Sequence, residues 1–206
     1  MSTKQFIVIE GIDASGKSTQ AELLQQHLIN SGGKAVISSE PSNGIIGNLI
    51  RQALKQRVLF SRDEKLFDEQ MAYLFASDRH DHLYNDSDGV YKLMADGFDV
   101  ISTRYYFSSL AYNSETPEQF EFIAKLNHKF PPPNVTIYLD LQVEAAMARM
   151  KQRSSLEVYE TKEKLTLVKE NYQRIFQDYS GRLLTIDALS TIDAIHLQIK
   201  DFVSGK

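Results

Sequence analysis

Residues 10–19, EGIDASGKST, combine two glycines, a lysine and a hydroxyl side chain at the spacing of a phosphate-binding loop. Glycines at positions 11 and 16 let backbone N–H groups turn inward, and a helix that begins at Lys17 adds the positive end of its dipole. Lys17 then reaches the β and γ phosphates, and Ser18 ligates Mg²⁺. The motif predicts a nucleoside-triphosphate site, against the alternative of a plain glycine turn between two core elements. The predicted site residues are Gly11, Asp13, Ala14, Ser15, Gly16, Lys17, Ser18 and Thr19.

The residues constrain the type of reaction less than they constrain the nucleotide site. A GTPase needs Asp-x-x-Gly after a buried strand and Asn-Lys-x-Asp to bind guanine. DSDG at 86–89 has the first spacing but follows HLYN, which is not a buried strand, and Asn-Lys-x-Asp does not occur. We therefore expect a small kinase that passes the γ-phosphoryl group to a bound metabolite.

Two further groups of side chains suit a flat, anionic acceptor. Phe75 and Arg79 lie four residues apart in a predicted helix, so a ring and a guanidinium share one face and can stack on a heterocycle and bind its edge. Taken alone, this pair also fits a core aromatic beside a surface charge. The segment STRYYFSSLAYN at 102–113 follows a predicted strand and offers Arg104 and Tyr112 where α/β sheets bind ligands, although a helix start packed on the core is the alternative.

The elements that must position these groups alternate along the chain. Short apolar strands are predicted at residues 5–10, 34–38, 98–102, 135–141 and 183–186. Helical patterns are predicted at residues 17–30, 45–54, 66–84, 143–150 and 192–203, with one further helix after the third strand. This alternation predicts an α/β fold, with a mainly parallel sheet covered by helices on both faces.

Composition restricts the partners. A chain of 206 residues with no interdomain linker is expected to form a single domain. The net charge is −4 and no long basic tract occurs, so a nucleic-acid polymer is not expected. The absence of cysteine excludes disulfides, cysteine-based zinc sites and a thiol nucleophile. Because no leader or membrane-spanning run is apparent, we expect a cytoplasmic protein without a membrane partner.

Five segments, taken in order, resemble the thymidylate kinase family. They are FIVIEGIDASGKSTQ, EPSNGIIGNLIRQAL, LFASDRHDHL, GFDVISTRYYFSSLAYN and PPNVTIYLDL. The resemblance runs from about residue 5 to residue 187. It implies transfer of phosphate from Mg·ATP to dTMP, a homodimer, and a P-loop kinase fold with a five-stranded parallel sheet and a mobile lid.

The resemblance also implies a role for each matching residue near the phosphates. Lys17 and Ser18 would hold the ATP phosphates and Mg²⁺. Asp13 would lie near the sugar 3′-hydroxyl and the metal. Arg51 and Arg104 would clamp the acceptor phosphate, which suits a reaction that depends on positioning and charge neutralisation.

The base and sugar of the acceptor have their own predicted contacts. Phe75 would stack on thymine, Arg79 would hydrogen-bond its edge, and Ser109 would touch the base. Tyr112 would crowd the 2′ position and so favour deoxyribose. The acceptor-site residues given by the match are Glu40, Pro41, Arg51, Phe75, Arg79, Arg104, Ser109 and Tyr112.

The lid is predicted at residues 148–160, ARMKQRSSLEVYE. Arg149 and Arg153 are four residues apart and so would share a helical face that closes over the transferring phosphate. Some family members carry an arginine inside the phosphate loop, where this chain has Ala14, and members without it supply one from the lid. We therefore assign the catalytic lid arginine to Arg153 first and Arg149 second, with a solvated charged face as the alternative.

The sequence departs from the family pattern at two positions. Thr103 precedes Arg104 where the family normally has aspartate, and Ser39 precedes Glu40 where many members have arginine. These departures leave open a non-catalytic nucleotide-binding module, and a kinase of another nucleoside monophosphate is the second alternative. His80 and His82 point to nearly opposite sides of the predicted helix, so no metal site is expected there.

Arg153→Ala is expected to lower kcat about a hundredfold or more, on the scale typical of an arginine finger. Steady-state turnover with saturating ATP and acceptor measures this effect. An unchanged kcat would contradict the assignment of Arg153.

Overall fold

The computed structural model describes residues 4–151 and 161–205, which form five strands and nine helices. The strands are β1 (Phe6–Glu10), β2 (Ala35–Ile37), β3 (Asp99–Thr103), β4 (Val135–Asp140) and β5 (Leu183–Asp187). The helices are α1 (Lys17–Asn30), α2 (Ile45–Leu54), α3 (Glu64–Tyr84), α4 (Val90–Ala95), α5 (Tyr106–Tyr112), α6 (Pro117–Asn127), α7 (Val143–Met150), α8 (Lys162–Gln177) and α9 (Ile192–Val203).

The five strands form one parallel sheet in the order β2-β3-β1-β4-β5. The register pairs Ile9 of β1 with Thr103 of β3 and with Ile137 of β4, so the carboxyl ends of these three strands meet at one edge. The chain adds strands first on one side of β1 and then on the other, which opens a crevice beyond the strand ends. The predicted α/β fold with a five-stranded parallel sheet is confirmed.

The central strand explains why the sheet is covered on both faces. All five residues of β1 are buried, including the consecutive run Ile7, Val8 and Ile9. A parallel strand packed by helices on both sides needs such a continuous apolar run. Each fully buried Val or Ile side chain contributes about 1.5–3 kcal/mol relative to exposure. Glu10 ends this strand as a buried carboxylate.

A second, smaller core joins α2 to α3. Ile50 and Ala53 of α2 pack with Met71 of α3, and all three side chains are buried. This packing fixes α3 beside the segment that connects β2 to α2. The predicted acceptor residues Glu40, Pro41, Arg51, Phe75 and Arg79 lie on these elements, whereas Arg104 follows β3 and both Ser109 and Tyr112 lie in α5.

Several element boundaries differ from the sequence-based predictions. Helix α1 occupies the predicted residues, whereas α3 begins at Glu64 because the Asp63 side chain accepts a hydrogen bond from the Leu66 N–H and caps the helix. The single helix predicted between β3 and β4 is wrong, since two helices, α5 and α6, lie there. Thr116 starts the second of them with a capping box closed by Gln119.

No helix within residues 4–151 and 161–205 has the length and apolar character required to cross a membrane.

Candidate active site

The phosphate loop lies between β1 and α1, as the motif requires. Gly11 and Gly16 have φ values of +146° and +98°, and Ala14 also lies in the left-handed region at +61°. Glycine is needed at 11 because a Cβ there would lie 2.7 Å from the carbonyl oxygen of Leu139. Lys17 Nζ donates to the carbonyl oxygen of Gly11 at 2.9 Å, inside the loop.

The hydroxyl residues of the loop differ in exposure. Ser15 is buried, whereas Ser18 and Thr19 are exposed in the first turn of α1. Mg²⁺ prefers hard oxygen ligands and keeps several waters while it binds substrate phosphates through one or two protein groups. The Ser18 hydroxyl and the nearby Asp13 carboxylate are donors of this kind. The residues present therefore fit a magnesium ion shared with nucleotide phosphates.

Asp13 connects the phosphate loop to the acceptor side. Its Oδ1 pairs with Arg104 Nη2 at 2.5 Å, and its Oδ2 accepts a hydrogen bond from the Tyr112 hydroxyl at 2.9 Å. Burial acts to raise the pKa of Asp13, but the charges of Arg104 and Lys17, together with hydrogen bonds from Tyr112 and Arg104, hold that pKa below its ordinary value. Asp13 is thus a carboxylate at neutral pH.

Tyr112 completes this group as a donor and a stacking surface. The guanidinium carbon of Arg104 lies 4.8 Å from the centroid of the Tyr112 ring, which is a cation–π contact. Burial raises the pKa of the Tyr112 hydroxyl, which therefore stays protonated and donates to Asp13.

A cavity of about 120 Å³, open to solvent, is lined in part by Asp13 and Arg104. It includes most of the predicted acceptor residues and several that the sequence analysis missed. Its lining residues are Asp13, Glu40, Pro41, Leu54, Phe75, Arg79, Arg104, Tyr105, Ser108, Ser109, Tyr112 and Asn113. The structure thus brings residues from the phosphate loop, α3 and α5 to one concave site, as ligand sites usually require.

Arg79 makes several short hydrogen bonds within the cavity wall. Its guanidinium pairs with Glu40 through Nε at 2.9 Å and Nη2 at 2.7 Å, and it also donates to Asn127 Oδ1 at 2.5 Å and Ser109 Oγ at 3.0 Å. Arg79 is only 1% exposed. The alternative of a surface charge beside a core aromatic is therefore wrong, and Phe75, four residues earlier, lines the same cavity.

His82 belongs to this network, although the sequence analysis gave it no role. Its Nδ1 lies 3.3 Å from Glu40 Oε1, and its Nε2 lies 2.8 Å from Ser38 Oγ. Its position three residues after Arg79 in α3 places both side chains on one helix face. That spacing was the available signal, but the buried partner Glu40 lies on a distant segment.

Arg51 holds the segment that carries Glu40 and Pro41. Its Nη2 donates to the Pro41 carbonyl at 2.6 Å and its Nη1 to the Ser42 carbonyl at 2.7 Å. Asp78 supports the same segment, because it accepts hydrogen bonds from the Ser42 N–H at 2.7 Å and the Ser42 hydroxyl at 2.6 Å. A direct contact of Arg51 with the acceptor phosphate remains a prediction.

The two positions that depart from the family pattern contact each other. The Thr103 hydroxyl donates to Ser39 Oγ at 2.8 Å, and the Thr103 N–H lies 3.3 Å from the same oxygen. The Glu40 N–H donates to the Thr103 carbonyl at 3.3 Å. An uncharged hydroxyl pair therefore joins β3 to the segment that carries Glu40.

Of the two predicted lid arginines, only Arg149 can be placed, because Arg153 lies outside the described residues. Arg149 is in the last turn of α7, which ends at Met150. It donates to the carbonyl oxygens of Ala14 and Ala188, each at 3.0 Å. Arg149 thus bridges the phosphate loop to the segment between β5 and α9.

Comparisons with known proteins agree with this geometry. A family model described as Thymidylate kinase matches residues 9–199. The chain belongs to the thymidylate kinase family. The predicted family and the prediction of an enzyme are therefore confirmed.

Members of the thymidylate kinase family resemble the chain over almost its full length. The probable thymidylate kinase of Methanococcus aeolicus is 37% identical over 200 residues, which cover 95% of this chain and 93% of that relative. The probable thymidylate kinase of Pyrococcus horikoshii is 33% identical over 195 residues, which cover 94% of this chain and 93% of that relative. The structure of thymidylate kinase from Candida albicans matches with a TM-score of 0.77 at 25% identity, covering 100% of this chain and 93% of that chain.

Gly16→Ala is expected to weaken ATP binding about tenfold or more, because alanine disfavours the left-handed backbone by roughly 1–2 kcal/mol and the loop N–H groups would turn away. Gly97→Ala is a matched control. Gly97 has a φ of +91° and, like Gly16, open space where a Cβ would stand, but it lies in the turn after α4. Calorimetric titration with ATP should show weaker binding for Gly16→Ala alone. Equal losses of ATP affinity in both variants would contradict a role for the loop conformation.

The Ser39–Thr103 contact is expected to appear as a coupling energy of about 0.5–1.5 kcal/mol in a double-mutant cycle. Ser39→Ala, Thr103→Val and the double variant would be compared by urea unfolding. The double variant should be more stable than the sum of the two single losses indicates. Strictly additive losses would show that the two hydroxyls do not stabilise each other.

Proposed function

We propose that the protein transfers the γ-phosphoryl group of Mg·ATP to dTMP, giving dTDP and ADP. The observation that carries this proposal is the Asp13–Arg104 ion pair, because it joins the triphosphate loop to the acceptor cavity. A donor phosphate held by the loop and an acceptor phosphate held by Arg104 would then meet at one point. Phosphoryl transfer depends mainly on such positioning and on charge neutralisation.

The donor side is formed by the loop and α1. Lys17 would neutralise the β and γ phosphates, and the exposed Ser18 hydroxyl would hold Mg²⁺ with Asp13 nearby. When bound, Mg²⁺ supplies positive charge to the phosphate oxygens. Arg149 lies against the loop at Ala14 and is the described arginine best placed to stabilise the transferring group from the lid side.

The acceptor side would bind the nucleotide at three points. Arg104 would pair with the acceptor phosphate, with Arg51 fixing the neighbouring segment. Phe75 would stack on the base. Arg79 only donates hydrogen bonds, so it favours a base edge that carries a carbonyl acceptor, as thymine does.

The sugar would lie between the base and phosphate subsites. Tyr112 is packed on Arg104 and bonded to Asp13, which leaves its ring fixed beside the cavity. A fixed ring at this position would exclude a 2′-hydroxyl and favour deoxyribose. Ser109 already accepts from Arg79 and would contact the base beside it.

In the transfer step, an oxygen of the acceptor phosphate forms a bond to the γ phosphorus while the bond from that phosphorus to the β,γ-bridging oxygen breaks. The electron pair of the broken bond stays on the β phosphate of ADP. No side chain has to act as a nucleophile. Lys17, Arg104 and a lid arginine would neutralise the charge on the oxygens during this exchange.

A homodimer, a single domain with a lid at 148–160 and a cytoplasmic location complete the proposal. The homodimer is supported by large side chains that α3 leaves exposed. Leu66, Tyr73 and Tyr84 are 53%, 49% and 46% exposed, and Leu66 and Tyr73 are two helical turns apart on one face. Exposed apolar side chains on one helix face are a feature of association sites.

A coupled ADP-release assay with Mg·ATP tests the proposed reaction. It is run in parallel with dTMP, dUMP, UMP, CMP and AMP, and the expected result is turnover that is strongest with dTMP. Tight ATP binding without turnover on any acceptor would indicate the non-catalytic module. If another nucleotide gives the strongest turnover, that nucleotide is the acceptor in place of dTMP, and the protein is still a kinase.

A further inference from the structure

Glu10 is a fully buried carboxylate that the proposed chemistry does not use. It ends β1 directly before the phosphate loop and is 0% exposed. Its Oε1 accepts from the Tyr105 N–H at 2.7 Å, and its Oε2 accepts from the Ser108 hydroxyl at 2.7 Å and the Tyr172 hydroxyl at 2.8 Å. A buried charge is costly unless such donors compensate it. Two of these donors lie at the start of α5 and the third lies in α8, so Glu10 joins the end of β1 to both helices.

The backbone next to these donors is strained. Arg104 has a φ of +78°, a left-handed conformation that costs an arginine roughly 1–2 kcal/mol. Its N–H donates to the Ile9 carbonyl at 3.0 Å, and its carbonyl accepts from the Ser102 hydroxyl at 2.8 Å. The bond from the Tyr105 N–H to Glu10 fixes the other side of the same peptide group. Glu10 therefore helps to hold the conformation that directs the Arg104 side chain.

The side chain of Arg104 is held through the same carboxylate. An ionised carboxylate only accepts hydrogen bonds, so the Ser108 hydroxyl proton is directed at Glu10. The lone pairs of that hydroxyl are then available to Arg104 Nη1, which lies 3.1 Å away. Asp13 binds Nη2 of the same guanidinium. Two of the three guanidinium nitrogens are thus fixed before any phosphate binds.

Charge supports this arrangement. Burial raises the pKa of Glu10, while the hydrogen bond from Ser108 and the charge of Arg104 act to lower it. Ser108 and Arg104 thus favour the ionised form of Glu10, and Glu10 in turn is one of the charges that favour protonated Arg104. Glu10 and Arg104 therefore each stabilise the charged form of the other.

We propose that Glu10 is a positioning residue for acceptor binding, which acts through Tyr105 and Ser108 to hold Arg104 in its backbone conformation and guanidinium direction. This inference rests on the proposed role of Arg104 in binding the acceptor phosphate. It assigns to the end of β1 a function on the acceptor side, in addition to its place before the ATP loop. Glu10 touches neither substrate in this assignment.

The test compares Glu10→Gln, Ser108→Ala and the double variant with the unaltered protein. Glutamine keeps the shape of the side chain and removes its charge, and alanine removes the hydroxyl that links Glu10 to Arg104. Each single variant is expected to raise KM for dTMP about tenfold and to leave KM for ATP within about twofold. The KM of the double variant for dTMP should be at most about twice the KM of the more affected single variant, because both changes break the same link between Glu10 and Arg104.

Asp99→Asn is the matched control. Asp99 lies at the opposite end of the same β1–β3 pair, where its Oδ1 accepts from the Gln5 N–H at 2.9 Å. It therefore undergoes the same chemical change on the same strands, away from Arg104. Its KM for dTMP should equal that of the unaltered protein.

Three outcomes would overturn the inference: unchanged KM for dTMP in both single variants, a parallel rise of KM for ATP, or multiplicative effects in the double variant. If Glu10→Gln does not fold, Ser108→Ala alone decides by the same KM comparison.

Failure of the proposed function is distinguishable, since the unaltered protein would then not phosphorylate dTMP. In that case a crystal structure of Glu10→Gln decides, and an unchanged φ and guanidinium position at Arg104 would overturn the inference.

Discussion

The parallel pairing of β1 with β3 is the constraint on which the site depends. It places the phosphate loop and Arg104 after neighbouring strand ends, and the Arg104 N–H continues the ladder by donating to the Ile9 carbonyl. A shift of one residue in a strand turns every side chain to the other face of the sheet. The register between these two strands therefore decides whether the Asp13–Arg104 pair exists at all.

The charges of the acceptor cavity are compensated within the protein. Glu40 lies between Arg79 and His82, and Asp13 lies between Arg104 and Tyr112. Removal of charges from water costs several kcal/mol per ion, and close partners with further hydrogen bonds offset that cost. The benefit is geometric, because donors fixed before binding need not be reordered when a phosphate or a base arrives.

The segment between β2 and α2 is held from several directions. Asp78 and Arg51 bind its backbone around Ser42, and Thr103 binds Ser39 and the Glu40 N–H. The Thr103–Ser39 contact joins two uncharged hydroxyls at the two positions where the sequence departs from the family pattern. Position 103 therefore contributes no charge here, and within residues 4–151 and 161–205 Asp13 pairs with the Arg104 guanidinium while Glu10 binds the adjacent Tyr105 N–H.

The sequence by itself determined the fold class, the phosphate loop and the family. These features depend on local signals, namely the glycine spacing, short apolar strands and helical periodicity, which survive without knowledge of distant contacts. Helix α1 and the face shared by Phe75 and Arg79 follow from the same signals. The sequence also identified Thr103 and Ser39 as separate departures from the family pattern.

Only the tertiary structure decided which distant residues share a contact. It joined Thr103 to Ser39, His82 to Glu40, and Glu10 to Tyr172, which are separated by up to 162 residues. It also showed that Arg79 is buried and that Arg104 has a left-handed backbone. The burial of a charged side chain and the backbone strain at Arg104 arise from packing of the whole chain, so no local pattern of residue types encodes them.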